Sequence, residues 1–180
     1  MRIISGKFKG KVFGTTGDLP VRPTTDFAKT GLFNLLDSRI DWEETKALDL
    51  FSGIGSIAFE MVSRGCKEVH SVDNHKKCIL FQQTISGRWN MPEMRFHTDN
   101  VFSFLKKNPL LTFDLIFADP PYDLNEASGL PGMIFENAWL MPQGWLIVEH
   151  DGRFDWRKFP QYAFTRNYGR VHFSFFQNNQ

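Results

Sequence analysis

The sequence predicts an α/β fold: a doubly wound, mostly parallel sheet with an antiparallel hairpin at its C-terminal end. Two observations predict it. From residue 47 onward, short apolar runs alternate with helical segments, and the first run leads into a glycine-rich turn while the fourth ends at two prolines. Alternating strand and helix units produce parallel strands, because each right-handed crossover returns the chain to the same end of the sheet.

The predicted elements follow one another along the chain. Strands are expected at 47–51, 68–73, 94–98, 113–118 and 145–149, with helices between them at 54–64, 75–88, 101–107 and 129–140. The short apolar run 113–118 is typical of a strand that is buried on both faces. Two more strands, at 162–168 and 171–176, join at Gly169 as an antiparallel hairpin and bring the sheet to seven strands.

The N-terminal part differs from this pattern. Residues 2–13 alternate loosely and contain two glycines, which indicates a small basic β-hairpin or extended arm. A helix is expected near 26–38, with Thr24, Thr25 or Asp26 as its N-cap, and Gly31 weakens it by about 1 kcal/mol relative to alanine. We therefore expect a single domain, with an arm at 1–23 and a catalytic core at 24–180.

Composition excludes several classes of protein. The 180 residues contain no run of about 18 apolar residues, so no membrane span is expected. The first residues lack the apolar core of a secretory signal. Cys66 and Cys78 form no metal-binding spacing and are typical of free thiols in a cytoplasmic protein. We expect a cytoplasmic protein without a metal.

The net charge of +1 is unevenly distributed. Residues 1–30 carry six basic and two acidic side chains, residues 151–180 carry five and two, and residues 31–150 carry ten and sixteen. This distribution favours a polyanion bound by the two ends of the chain, with carboxylates kept for a site in the middle. The predicted RNA contacts are Arg2, Lys7, Lys9, Lys11 and Arg22.

The turn after the first strand predicts a nucleotide-type cofactor. Gly53 and Gly55 let the backbone turn tightly and approach a ligand just before a helix begins. Asp73 ends the second strand, twenty residues after Gly53, where a carboxylate accepts from both hydroxyls of a ribose. Asp99 follows the third strand and either accepts from an adenine amino group or caps the helix that begins at Val101. Asp49 holds the turn or an amine of the cofactor.

The fourth strand ends at Asp119-Pro120-Pro121-Tyr122, which predicts the acceptor site. The two prolines stop the strand and stiffen the backbone at the sheet edge where ligands bind. Asp119 and the Pro120 carbonyl can accept the two hydrogens of an exocyclic amino group, and Tyr122 can stack on the base. Amino-group methylation needs this arrangement and hydride transfer does not, so it favours S-adenosyl-L-methionine (SAM) over NAD, which the glycines alone do not.

These residues resemble a known family. The glycine turn, the acid after the second strand and Asp119–Tyr122, in that order, resemble a class I SAM-dependent methyltransferase. Further segments are similar to RsmD-type 16S rRNA guanine-N2 methyltransferases over essentially the whole chain. These are Met1–Gly6, Arg22-Pro23-Thr24 with Asp26, Leu32-Phe33-Asn34, Asp49–Gly55, Ser63-Arg64-Gly65, Glu149-His150, Tyr168-Gly169 and Phe173–Phe176. One difference is Thr30, where the family usually carries an acid.

The resemblance implies a Rossmann-like sheet, SAM as cofactor with S-adenosyl-L-homocysteine as product, and methylation of one guanine N2 of 16S rRNA at the position numbered 966. Asp119, Pro120, Pro121 and Tyr122 are the implied catalytic residues. The implied cofactor residues are Asp49, Phe51, Ser52, Gly53, Gly55, Asp73, Asn74, Asp99, Asn100 and Asp119. The small ribosomal subunit is the expected partner, and the protein itself is expected to be a monomer.

Other functions remain open from the sequence. DNA adenine-N6 methyltransferases also use Asp-Pro-Pro-Tyr, although they normally carry an added recognition domain for which this chain leaves only the short arm. A non-catalytic RNA-binding assembly factor on the same fold is the second alternative. His150 follows Glu149 at a strand end, where a functional and a purely structural role are equally compatible with its position.

Overall fold

The computed structural model describes residues 1–14 and 25–179. Its strands are β1 (Lys46–Leu50), β2 (Glu68–Asp73), β3 (Met94–Thr98), β4 (Phe113–Ala118), β5 (Leu140–His150), β6 (Tyr162–Tyr168) and β7 (Val171–Gln177). Its α-helices are α1 (Asp26–Leu36), α2 (Ser56–Ser63), α3 (Lys76–Trp89), α4 (Val101–Leu105) and α5 (Leu130–Glu136). Short 3₁₀ helices span Asn125–Gly129 and Trp156–Lys158.

The strands form one sheet in the order β3-β2-β1-β4-β5-β7-β6. The first five strands of the chain are parallel, and β7 pairs antiparallel with both β5 and β6. The chain winds outward from β1 to β3, then crosses back to β4 and winds the other way. This reversal leaves a crevice outside the carboxyl ends of β1 and β4. The predicted doubly wound sheet with a C-terminal antiparallel hairpin is confirmed.

Two hydrophobic layers cover the sheet. One layer joins buried residues of α1, α2 and α3 to one face, where Phe117 and Ile147 lie. The other joins α4 and α5 to the opposite face, where Ile116 and Val148 lie. Successive strand residues therefore point into different layers, as the pleat requires, and both faces are buried as expected for parallel strands.

The segment before β5 differs from the prediction. The helix expected at 129–140 ends at Glu136, and β5 begins at Leu140 rather than at 145. Ala138 has a positive φ of 54°, which ends the helix, and the Trp139 carbonyl accepts from the Phe113 N–H at 3.0 Å. The apolar residues that suggested a longer helix extend the sheet instead, through a register shift between β4 and β5.

Helix α1 begins as predicted, because the Thr25 hydroxyl accepts from the Ala28 N–H at 3.2 Å. Gly31 lowers the intrinsic stability of α1, and its packing explains why a glycine stands there. A Cβ at this position would lie 2.0 Å from the Tyr168 ring on β6. Thr30 Oγ1 donates to the Asp26 carbonyl at 2.7 Å within the same helix. Gly31 thus lets α1 and the C-terminal hairpin approach each other closely.

The N-terminal residues form a docked hairpin rather than an extended arm. The Met1 ammonium donates to the Phe13 carbonyl at 2.9 Å, and the Phe13 N–H donates back to the Met1 carbonyl at 3.0 Å. Ile3 and Phe13 are buried in the core. A Cβ at Gly6 would overlap the Ser63 carbonyl at the end of α2. The boundary predicted at residue 23 lies outside the described residues.

A buried ionic cluster fixes this hairpin to α2. The two carboxylate oxygens of Glu60 accept from the Ile4 N–H at 2.8 Å and the Ser5 N–H at 3.0 Å. Lys29 Nζ lies 3.5 Å from the same carboxylate and donates to the Arg2 carbonyl at 2.7 Å. Lys29 and Glu60 are both fully buried, and Arg64 Nε also lies 3.1 Å from the Glu60 carboxylate. Removal of Glu60 would therefore leave the Lys29 ammonium buried without its carboxylate.

Candidate active site

A cleft of about 730 Å³ opens where the parallel strands end. It brings together most of the residues predicted from the sequence. The predicted residues that line this cleft are Asp49, Phe51, Ser52, Gly53, Asp73, Asn74, Asn100, Asp119, Pro120, Pro121 and Tyr122. Glu149, Arg153 and Val171 line the same cleft on the side of β5 and β7. Gly55 is outside this lining, because it turns the backbone behind the loop.

The loop after β1 is tightly wound. Phe51, Gly53 and Gly55 have positive φ angles of 58°, 52° and 85°. Phe51 is the unusual member, since a bulky residue in this region is strained and such strain concentrates at functional sites. Gly55 is the N-cap of α2 and supplies no side-chain hydrogen bond. Ser56 and Ile57, the first two residues of the helix, line the cleft.

Asp49 holds this loop against α2. Its side chain is 2% exposed, and its Oδ2 accepts from the Ala58 N–H at 3.1 Å. Burial raises the pKa of Asp49 well above the usual carboxyl range, the Ala58 N–H opposes that shift, and the charge of Asp73 adds to it. Of the two roles expected for this residue, the structure shows the contact that fixes the loop.

Asp73 is oriented by backbone donors on both of its oxygens. Oδ2 accepts from the Gly53 N–H at 2.8 Å, and Oδ1 accepts from the His75 N–H at 2.7 Å. Each carboxylate oxygen keeps a further lone pair for another donor. The side chain is therefore held in one position at the end of β2, where it can still accept from the two hydroxyls of a ribose.

Gln82 contacts the glycine loop and was not among the residues predicted from the sequence. It is fully buried on α3, and its Nε2 donates to Ser52 Oγ and to the Gly53 carbonyl, both at 2.8 Å. A Cβ at Gly55 would lie 3.0 Å from the Gln82 side chain, so the loop and the amide pack closely. The available signal was a polar residue on the apolar face of a helix, beside Ile79 and Ile85.

The two polar residues after β3, Asp99 and Asn100, lie differently from the prediction. Asn100, not Asp99, caps α4, since its Oδ1 accepts from the Ser103 N–H at 3.1 Å. Asp99 lies outside the cleft lining and forms an ion pair with Lys107. Phe102 and Phe51 meet edge to face with ring centroids 6.0 Å apart and form an apolar wall. Asn100 and this wall, rather than Asp99, line the cleft.

The segment predicted to bind the methyl acceptor, Asp119–Tyr122, comes directly after β4. The Asp119 N–H donates to the Leu50 carbonyl at 3.3 Å, which ties this segment to the end of β1. Pro120 is buried, and Asp119 and Tyr122 are half-buried. The four residues predicted for catalysis thus stand together in the cleft, next to the loop that follows β1.

The predicted RNA contacts lie outside the cleft, on the docked hairpin. Lys7 pairs with Glu93 at 2.6 Å, and Lys11 Nζ lies over the Phe8 ring, 4.8 Å from its centroid. Arg2 pairs with Asp26 at the start of α1. Lys9 is exposed in the same hairpin. Arg22 lies outside the described residues.

His150 is a core histidine. Its Nδ1 accepts from the Gly152 N–H at 3.0 Å, so Nε2 carries the proton and donates to Ser174 Oγ at 2.8 Å. Burial, helped by the nearby His172, lowers the pKa of His150 to about 4. The residue does not line the cleft, and its role is structural.

Two absences concern only the part of the chain that the structure describes. Within 1–14 and 25–179, no three His, Cys, Asp or Glu side chains converge in a way that could hold a metal ion. Among the same residues, no helix has both the length and the apolar character needed to cross a bilayer.

Comparison with known proteins connects this site to a family. The chain is 31% identical over 152 residues to ribosomal RNA small subunit methyltransferase D of Haemophilus influenzae, which covers 83% of this chain and 78% of that protein. A solved putative methyltransferase, yhhF from Escherichia coli, superposes with a TM-score of 0.86 at 22% identity, over 99% of this chain and 97% of that one.

A second solved structure, an RNA methyltransferase from Salinibacter ruber in complex with S-adenosyl-L-homocysteine, has a TM-score of 0.68 at 15% identity. The match covers 88% of this chain and 95% of that one. These two likenesses show the fold. The model of the family described as conserved hypothetical protein 95 matches residues 1–177, and the chain therefore belongs to that family, the family of the RsmD-type methyltransferases.

Proposed function

We propose that this protein transfers a methyl group from SAM to the exocyclic N2 of one guanine in small-subunit ribosomal RNA. The observation that carries the proposal is the single cleft that joins a ribose-binding carboxylate, Asp73, to Asp119–Tyr122. Membership of the family and the name of the Haemophilus influenzae relative support ribosomal RNA as the substrate. Guanine N2 is supported by the acceptor chemistry of Asp119 and Pro120.

The residues of the cleft suit SAM. Asp73 is already oriented for a ribose by the Gly53 and His75 N–H groups. Ser56 and Ile57, the first two residues of α2, line the cleft, where the helix N-terminus would stabilise a carboxylate such as that of a methionyl group. Phe51 and Phe102 offer an apolar wall for adenine. When bound, SAM supplies an electrophilic methyl group on a sulfonium.

Asp119 and Pro120 would orient the amino group. The lone pair of the guanine N2 is delocalised into the ring, so this nitrogen is a poor nucleophile. If the Asp119 carboxylate and the Pro120 carbonyl accept its two hydrogens in a pyramidal arrangement, the lone pair is localised on N2 and directed toward the cofactor side of the cleft. As N2 gains the methyl group, S-adenosyl-L-homocysteine would leave, and the Asp119 carboxylate could accept the proton that N2 then loses. Most of the rate enhancement then comes from positioning and from fixed acceptors, and no strong base is needed beforehand.

Tyr122 and the hairpin would hold the RNA. Tyr122 is half-buried beside Asp119 and can stack on a base turned out of its helix. Arg2, Lys7, Lys9 and Lys11 lie together on the hairpin, where they can contact phosphates without reading sequence. The hairpin is fixed to α2, so these charges keep a constant position relative to the cleft.

Labelled methyl transfer tests the proposal. Small ribosomal subunits that lack the modification and naked DNA are each incubated with the protein and methyl-labelled SAM, and the labelled nucleoside is identified. Label in a single 16S guanine N2 is the expected result. Label only in DNA adenine would replace the proposal by adenine-N6 methylation. No label and no SAM binding would favour a non-catalytic assembly factor.

A further inference from the structure

Glu149 is a buried carboxylate that lines the cleft and belongs neither to the predicted cofactor residues nor to Asp119–Tyr122. It stands near the end of β5, its side chain is 3% exposed, and it lines the cleft together with Asp119 and Tyr122. A carboxylate has two oxygens and about four acceptor sites, so Glu149 can accept from a ligand in the cleft as well as from the protein. Most residues expected to hold the cofactor lie at or just after the ends of β1, β2 and β3, whereas Glu149 lies beyond β4 on the other side.

The sheet places Glu149 next to Asp119. The last parallel pair of β4 and β5 joins Ala118 to Val148, and both carboxylates come one residue later on neighbouring strands. Adjacent strands are about 4.8 Å apart. Glu149 follows Ile147 by two residues and so lies on the same face of the sheet as Ile147 and Phe117. One planar ligand can therefore contact both carboxylates along one edge.

Guanine has an edge that fits two neighbouring acceptors. Its Watson–Crick edge presents N1–H and the N2 amino group side by side, and both are donors. We propose that Glu149 accepts from N1–H of the target guanine while Asp119 accepts from N2, so that Glu149 selects guanine. This inference rests on the proposed function. Adenine offers an unprotonated N1 acceptor at the same place, which a carboxylate disfavours.

Base analogues test the inference on the unaltered protein. Small subunits are reconstituted with 16S rRNA that carries guanosine, 2-aminopurine or 2,6-diaminopurine at the position labelled in the transfer experiment. Both analogues keep the N2 amino group and lose N1–H, and they differ from each other at C6. We expect kcat/KM to fall by at least about 100-fold with each analogue, because the hydrogen bond from N1–H is lost and an N1 lone pair faces a carboxylate instead.

The variant Glu149→Gln tests whether this side chain causes the preference for guanosine over the two analogues. A glutamine amide can accept from N1–H or donate to an unprotonated N1. We expect kcat/KM with guanosine to fall about ten-fold, since a charge-assisted bond is lost, and the preference over the analogues to shrink below about ten-fold. Glu136→Gln, an exposed change of the same kind on α5, is the matched control and should keep the full preference.

The outcomes separate this inference from the proposed function. No transfer to guanosine by the unaltered protein would overturn the proposed function, and the inference with it. Transfer to guanosine and to both analogues at similar rates would overturn the inference alone. An unchanged preference in a folded Glu149→Gln variant, with SAM affinity retained in a calorimetric titration, would also exclude Glu149 as the selecting residue.

Discussion

The side-chain amide of Gln82 on α3 donates to the backbone carbonyl of Gly53 at 2.8 Å, and so ties a helix to the loop that follows β1. The same nitrogen also donates to Ser52 Oγ at 2.8 Å. Gly53 in turn donates to Asp73. The glycine loop is therefore held from both sides before any ligand arrives, which reduces the entropy that binding has to overcome.

Replacement of Gln82 should weaken cofactor binding without preventing folding. Gln82→Ala removes two hydrogen bonds to the loop, each worth about 1 kcal/mol net, so the dissociation constant of SAM should rise about 10- to 100-fold. Calorimetric titration measures this directly. Gln83→Ala is the matched control, because Gln83 is the exposed neighbour on the same helix. Equal affinities in the two variants would remove Gln82 from the site.

The variant Asp119→Ala should lose methyl transfer and still bind SAM. Loss of the acceptor leaves the N2 lone pair in conjugation with the ring, so methyl transfer should fall by at least about 10³-fold. SAM affinity should survive, because Asp73 and the glycine loop are unchanged. Labelled transfer and calorimetry measure the two effects, with Asp155→Ala as an exposed control. A variant that no longer binds SAM would contradict the role assigned to Asp119.

Charge reversal on the hairpin should weaken RNA binding alone. Changing Lys7, Lys9 and Lys11 to Glu should lower RNA affinity at least about ten-fold and flatten its dependence on salt, since phosphate contacts release counterions. SAM affinity should stay the same. The triple change of Lys67, Lys106 and Lys158 to Glu gives an equal charge change at exposed positions elsewhere. If both triple variants bind RNA equally, the hairpin is not the contact surface.

The buried His150 should make the fold sensitive to acid. Its folded pKa of about 4 lies below the ordinary value of 6.5, so the unfolded chain binds the proton more readily. The free energy of unfolding should therefore fall as pH decreases from about 6.5 to about 4, by about 3 kcal/mol from this residue. Urea unfolding across that range should show a smaller decline for His150→Gln. An identical decline in both proteins would contradict this assignment.

Much of the fold follows from local sequence patterns. The predicted spans of β2, β3 and β4 agree with the structure, because each is a short run bounded by turn-forming residues. The start of β5 at Leu140 was missed, since a register shift and the turn at Ala138 depend on pairing with Phe113. Periodicity alone does not separate such a segment from the end of a helix.

The sequence predicts those parts of the candidate site whose residues are consecutive in the chain. Asp119–Tyr122 and the glycine loop stand in the cleft as expected. Gln82 and Glu60 were not found, because each is a lone polar residue on an apolar helix face and its partners lie far away in the chain. Asn100 rather than Asp99 caps α4, since adjacent polar residues at a helix start compete for the cap, and Asp99 pairs with Lys107 instead.

The strand order assigns the two ligands to separate stretches of chain. Residues 46–105 build the strands and helices on the cofactor side, and residues 113–177 build those on the acceptor side. Substitutions after β4 can therefore alter which base is accepted while the cofactor pocket keeps its sequence. A lineage that carries this arrangement can change the accepted base by divergence of residues 113–177, while the hairpin at residues 1–14 keeps its phosphate contacts.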